Sequence, residues 1–341
     1  MEAPVEKCFN ESVLQRALAK FGANRNRFKK LGDFENYVYE VFIEDVPYIL
    51  RLTHSSHRSN QDVEAEIHWV NYLDDRNINV ARALQSNEGN VVEEIEVEYG
   101  SFFVSLFEKA PGRQLKKNDP LYGPALYEVW GRTIGKMHRA TKDYQPLEHS
   151  REHWDEEDLL RFETYLSEEQ DGEIIRHGKA LVNEIQALKK ERDSYGLVHS
   201  DIHAGNFFYD EGNIHVFDFD DSSYHYFVSD IAIPLYYTVW GGLQGEDRET
   251  RAQFAEEFLY FFLKGYSKEN KIDPEWIKKM PLFLRLRDYI LYTVLHKKFD
   301  VTSMNDDEKC MLHQIKNRLD EGELIAEPSY GRVLQRLVGG E

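Results

Sequence analysis

Cysteine is scarce in this chain: Cys8 and Cys310 are the only two among 341 residues. They form no C-x-x-C pair, so neither a disulfide framework nor a cysteine metal cluster can be assembled from them. That scarcity points to a reducing compartment, and a cytoplasmic location is expected. Long apolar runs are missing too, which leaves no candidate for a membrane-spanning helix. The N-terminal segment Met1 to Asn10 carries Glu2, Glu6 and Lys7 and lacks an apolar stretch, so it does not read as a signal peptide. Basic residues are the minority: 42 Lys and Arg stand against 61 Asp and Glu, a formal net charge of −19. Such a chain repels polyphosphate backbones, and nucleic acid and anionic membranes are poor partners for it. The charge has two readings, attraction of a cationic small molecule and plain solubility. No internal repeat, low-complexity tract or heptad series is present.

What the chain does contain is core-forming material. Hydrophobic residues make up 41% and aromatic residues 13%, which argues against long disorder. The length exceeds one ordinary core and suits two lobes. Val13, Leu14, Ala17, Leu18 and Phe21 have helical spacing, and Gly22 ends that helix. A polar basic link from Asn24 to Lys30 follows. Alternation over Tyr37–Ile43 and Tyr48–Thr53, about a turn at Glu44–Pro47, predicts a β-hairpin. Asn60 is the expected cap of a helix reaching about Leu73. Short strands are expected near Ala83, over 91–98 and over 101–107. Lys109-Ala110-Pro111-Gly112 breaks the pattern and sets an expected boundary between lobes 1–108 and 109–341. Beyond it helices dominate. The first is expected to start at Asp119-Pro120. Others are expected near 158–166, 173–190, 230–239, 248–266, 281–299 and 306–319.

One β-rich island interrupts the helical half and concentrates His and Asp. It reads Leu197-Val198-His199-Ser200-Asp201-Ile202-His203-Ala204-Gly205-Asn206, then Ile214-His215-Val216-Phe217-Asp218-Phe219-Asp220-Asp221. A turn at Asp210–Asn213 separates the two segments. Together they resemble the H-G-D-x-H-x-x-N and hydrophobic-D-F segments of the aminoglycoside phosphotransferase and choline kinase superfamily. That superfamily is similar in fold to protein kinases, and the Asp-to-Asn spacing equals that of the kinase catalytic loop. Ser200 stands where the superfamily motif has glycine. The resemblance runs in order from about Leu31 to Asp230, with its motifs concentrated in 198–230. Gly131–His138 resembles a helix of the same family that serves packing.

The resemblance implies an α+β, bilobal protein-kinase-like fold, with a small β-rich N-lobe and a larger, mainly helical C-lobe. It implies ATP and Mg²⁺ as cofactors and transfer of the γ-phosphoryl group to a hydroxyl of a small molecule. Candidate acceptors are an aminoglycoside, an amino alcohol such as choline or homoserine, or a related metabolite. Such transfer needs a group to receive or position the attacking hydroxyl, and cations to offset phosphate charge. Asp201 takes the first role. Asn206 supplies an amide oxygen and Asp218 a carboxylate to Mg²⁺. Arg51 stands where kinases carry their phosphate-binding lysine, unless it simply faces solvent. Glu66 is its candidate partner, with Glu64 and Asp62 as competitors within one turn. Gly32–Asn36 sits where a phosphate-covering loop belongs. Phe107-Glu108-Lys109-Ala110 is the implied hinge, with Glu108 and Ala110 offering backbone groups to adenine.

His199 and His203 are implied to orient the loop by hydrogen bonding, and a zinc cluster with Asp201 is the alternative. Asp220 and Asp221 either serve a second Mg²⁺ or the acceptor, or are solvated or capping carboxylates. Asp230 is implied to support the catalytic loop from a helix N-terminus. Arg285, Arg287, Asp288 and Tyr292 share one helix, where they bind an acceptor or form salt bridges. Three rival functions remain: a protein Ser/Thr kinase, a non-catalytic kinase-like module and a metal-dependent hydrolase.

Overall fold

A computed structural model describes residues 3–243, 245–299 and 304–339. Met1 and Glu2, at the head of the segment judged not to be a signal peptide, lie outside the described residues. Two compact units emerge, and neither is continuous in sequence. The first joins Met1–Arg113, Tyr144–Arg151 and Phe207–Asp220; the second joins Gln114–Asp143, Glu152–Asn206 and Asp221–Glu341.

The first unit opens with α1 (Ala3–Cys8) and α2 (Glu11–Lys20). An antiparallel sheet follows, built from β1 (Phe28–Gly32), β2 (Tyr37–Ile43), β3 (Val46–His54), β4 (Ala83–Leu84), β5 (Glu93–Val97) and β6 (Gly100–Glu108). Its strand order is β1-β2-β3-β6-β4, with β5 also on β6. Between β3 and β4 lies α3 (Asn60–Asp74). Alternation along β2 turns Tyr37, Tyr39 and Val41 inward. There they join Leu50, Leu52, Val104 and Leu106 and the apolar stripe of α2. Val63 and Ile67 of α3 pack with Phe103 and Phe107 in a second cluster. Each such fully buried aliphatic side chain contributes roughly 1.5–3 kcal/mol.

Two readings are corrected here. β1 occupies part of the segment read as a polar link, because an edge strand with exposed Lys29 and Lys30 buries too little to alternate. The cap of α3 is Ser59, not Asn60. Ser59 Oγ accepts from the Asp62 amide at 3.1 Å while the Asp62 carboxylate accepts from the Ser59 amide at 2.9 Å, a reciprocal capping box.

The first unit also holds a hairpin of β8 (Phe207–Asp210) and β9 (Asn213–Val216), which follow β7 (Tyr195–Val198) of the second unit. Glu211 and Gly212 both have positive φ, 44° and 88°, as a tight two-residue hairpin turn requires. Gly112 touches this hairpin: a Cβ there would lie 2.2 Å from the Tyr209 carbonyl oxygen.

The second unit is mostly helical. It contains α4 (Pro124–Thr141), α5 (Phe162–Tyr165), α6 (Glu168–Gln186), α7 (Ser229–Gly242), α8 (Arg248–Tyr266), α9 (Pro274–Lys278), α10 (Met280–Lys298), α11 (Asp306–Glu321) and α12 (Tyr330–Gly339). β7 pairs with β10 (Ser223–Tyr226) as a two-stranded ribbon. Asp119-Pro120 does not start α4. Asp119 instead closes a local turn by accepting from the Leu121 amide at 3.0 Å, and Pro124 takes the first turn of the helix. α4 and α8 touch through glycine. A Cβ on Gly131 would sit 1.9 Å from the Phe262 carbonyl oxygen, and one on Gly265 would sit 1.8 Å from that of Glu128. The small residues of the Gly131–His138 segment therefore do serve packing. Among the described residues, no helix is long and apolar enough to cross a membrane.

Acid sensitivity is built into the second unit. His225 is buried, stacks on Trp154 with centroids 5.0 Å apart, and accepts the Tyr226 amide at Nδ1 (2.9 Å). Burial pushes its pKa down to about 3. The neutral ring is the folded form, so its contribution is complete above the ordinary value of 6.5 and is lost as pH falls toward 3. Chemical denaturation at a series of pH values should show unfolding free energy falling by roughly 3–5 kcal/mol across that window. His225→Asn should flatten the slope.

Candidate active site

The loop that carries Asp201 is held from beneath. Asp230, fully buried in the first turn of α7, accepts from the amides of His199 at 2.9 Å and Ser200 at 2.8 Å. His138 Nε2 lies 3.3 Å from the same carboxylate, and its Nδ1 is 3.0 Å from the Tyr266 hydroxyl. Burial alone would raise the Asp230 pKa, but His138 and the main-chain donors hold it below the usual carboxylate range. Ser200 takes a left-handed φ of 66°, which explains why related motifs use glycine there. The strain is offset by the Asp230 contact and by Ser223, whose Oγ lies 2.8 Å from that of Ser200.

Asp201 and Asn206 are brought together. Asn206 Nδ2 donates to the Asp201 main-chain oxygen at 2.9 Å and to its Oδ2 at 3.3 Å. With its nitrogen committed, Asn206 has Oδ1 left as a donor atom for a hard cation. His199 Nδ1 accepts the Asp201 amide at 3.3 Å, and His203 Nδ1 accepts the Gly205 amide at 2.8 Å. Both rings orient the loop. The zinc alternative does not hold: the one grouping of three His, Cys, Asp or Glu ligand atoms among the described residues is Glu35, His57 and Asp220.

Asp201 has a partner that lies far away in sequence. Arg287, midway along α10, donates to Asp201 Oδ1 through Nη2 and to the Tyr237 hydroxyl through Nη2 and Nε. Burial works to raise the Asp201 pKa, and the Arg287 charge, with His203, brings it below the ordinary value. The neighbours of Arg287 on α10 are structural: Asp288 pairs with Arg318, and Tyr292 bonds to Asp171 at 2.8 Å.

In the first unit, Arg51 and Glu66 form a buried, two-pronged ion pair with contacts of 2.8 and 2.6 Å. Arg51 is 5% exposed and Glu66 1%, so the solvent-facing reading of Arg51 is wrong. The competitors are used elsewhere: Glu64 accepts from Asn60 at 2.9 Å, and Asp62 caps α3. Burial would lower the Arg51 pKa, but Glu66, Asp220 and Asp218 raise it. Asp218 is exposed and adopts a left-handed φ of 64°. Its carboxylate is the second oxygen ligand type suited to Mg²⁺. Glu108 ends β6, its amide donating to the Arg82 carbonyl at 2.8 Å, and Ala110 is buried two residues on.

Asp220 is neither solvated nor a helix cap. It is 4% exposed, and Oδ2 meets His57 Nε2 at 2.6 Å and Asn36 Nδ2 at 3.3 Å. Its main-chain oxygen accepts from Arg58 at 3.1 Å and Arg151 at 2.5 Å. Burial pushes its pKa up, while His57, Arg58 and Arg51 hold it well below the carboxylate range.

The chain is similar to known proteins. Residues 28–266 match the model of the phosphotransferase enzyme family. Amicoumacin kinase of Bacillus subtilis (strain 168) is 39% identical over 322 residues, covering 93% of this chain and 94% of that protein. A solved structure of amicoumacin kinase hAmiN in complex with AMP-PNP, Ca²⁺ and Ami superposes with a TM-score of 0.91 at 36% identity, covering 98% of this chain and 100% of that one. A microcompartment-associated aminopropanol kinase shares the fold, with a TM-score of 0.71 at 17% identity, covering 91% of this chain and 95% of that one. The chain belongs to the phosphotransferase enzyme family. It is an ATP-dependent kinase of the kinase-like α+β fold, acting on a small-molecule hydroxyl.

Proposed function

We propose that this kinase phosphorylates a hydroxyl of an amicoumacin-type antibiotic, with MgATP as donor. One observation carries the reading: 39% identity to amicoumacin kinase extends across 93% of this chain and 94% of its relative. Residues 1–108 chiefly hold the nucleotide, and 109–341 supply catalysis and the acceptor site. In this reading Arg51, fixed by Glu66, meets the phosphates, and Glu108 and Ala110 present backbone groups to adenine. Asn206 and Asp218 hold Mg²⁺, which offsets charge on the β- and γ-phosphates. Asp201 orients the acceptor hydroxyl and receives its proton as the oxygen bonds to phosphorus. The reaction takes place in the cytoplasm.

Incubating the protein with ATP, Mg²⁺ and amicoumacin should yield ADP and an antibiotic heavier by one phosphoryl group, read by mass spectrometry. Unchanged antibiotic, with ADP released only when a different hydroxyl compound is added, would reassign the acceptor.

A further inference from the structure

Arg287 is an odd neighbour for a group that accepts a proton. A cation against a carboxylate favours its charged form and weakens it as a base. Its placement calls for a use other than base strength. Nε and Nη2 are taken by Tyr237 and Asp201, and the guanidinium lies 4.9 Å from the Tyr237 ring centroid. The fork is thus fixed in position. Nη1, with two N–H bonds, has no hydrogen-bond partner among the described residues, and the side chain keeps 14% of its surface exposed.

The two oxygens of Asp201 face different company. Oδ2 looks toward Asn206 Nδ2 at 3.3 Å and His203 Nε2 at 3.4 Å. Oδ1 looks toward Arg287 and retains a second lone pair. An acceptor hydroxyl that donates to Oδ1 therefore brings its neighbouring carbon up against the guanidinium. What that carbon carries decides whether Nη1 is satisfied.

We propose that Arg287, braced by Tyr237, forms an acceptor subsite beside Asp201 for 2-hydroxy carbonyl compounds. The hydroxyl goes to Asp201, and the carbonyl oxygen of an amide, ester or carboxylate on the adjacent carbon accepts from Nη1. An ammonium on that carbon has no lone pair to offer, leaves Nη1 unpaired and meets like charge. A site built around a donor rejects analogues that lack the matching acceptor. The discrimination concerns the adjacent carbon alone. The subsite rests on the kinase reading in which Asp201 faces the reacting hydroxyl; it does not rest on amicoumacin being the acceptor.

The test is calorimetric binding of lactamide and isopropanolamine to the full chain saturated with AMP-PNP and Mg²⁺. The two probes share a skeleton and differ in carrying a carboxamide or an ammonium beside the hydroxyl. Wild type should bind lactamide at least about tenfold more tightly. Arg287→Met should abolish that preference, and Arg287→Lys should keep part of it. Equal affinities, a preference for isopropanolamine, or no detectable binding of either probe to wild type would overturn the subsite. So would a preference that survives Arg287→Met. Misfolded variant lowers the stoichiometry without altering the affinity ratio, and Tyr237→Phe, expected to narrow the ratio, provides a second reading. Failure of amicoumacin turnover with lactamide preference intact would sink the antibiotic assignment and leave the subsite standing.

Discussion

Asp201→Asn should lower turnover by roughly 100- to 10,000-fold while nucleotide affinity stays nearly unchanged. The side chains are isosteric, so the loop survives. Its supports are the Asp230 contacts to the His199 and Ser200 amides and the Asn206 contact to the Asp201 main-chain oxygen at 2.9 Å. None of these uses the Asp201 carboxylate charge. In the proposed mechanism, what disappears is the group that orients the hydroxyl and takes its proton. Turnover is read by ADP release in the presence of acceptor, and affinity by calorimetry with AMP-PNP. A variant that turns over at near the wild-type rate would strip Asp201 of its role.

The second large effect falls on the Arg51–Glu66 pair. Removing one partner leaves a charge stranded inside the first unit, because the side chains are only 6% and 1% exposed. Glu66→Ala should cost about 3–5 kcal/mol of stability, as broken buried pairs do. Replacing both partners with apolar residues of similar volume, Arg51→Met with Glu66→Leu, should recover much of that loss. Nucleotide handling should not recover with it. The double variant should melt near the wild type yet show a raised KM for ATP. If ATP kinetics returned along with the melting temperature, the pair would be scaffolding and nothing more.

The two arrangements differed in how readily the chain disclosed them. Asp201 and Asn206 were legible because their geometry is local: a five-residue loop closes on itself, and the spacing of residue types is the geometry. Arg51 and Glu66 were half legible. Strand and helix were evident, but three acidic residues within one turn competed, and only packing decides which of them points inward. Arg287 as the partner of Asp201 was not legible, since 86 residues separate them and nothing in a helix bearing two arginines says which one turns toward the loop. Asp220 was hidden for the same reason: Asn36 and His57 lie 184 and 163 residues away. The edge strand β1 was missed because exposed lysines leave no apolar rhythm. The Arg248–Tyr266 helix was read to its ends because a capping Asp and a long buried face both announce it.

The glycine seam between α4 and α8 reaches further than its size suggests. Where main chain lies on main chain there is no side chain to take up a misfit, so the two helices cannot slide or spread without breaking contact. Gly265 is followed by Tyr266, and His138 stands one turn beyond Gly135, so the seam dictates where those two rings meet. Through Asp230 that meeting point dictates the height of the loop ending in Asp201. Even a methyl group added at Gly131 or Gly265 should therefore be felt as misalignment in the reaction itself, carried there by rigid parts with no slack between them.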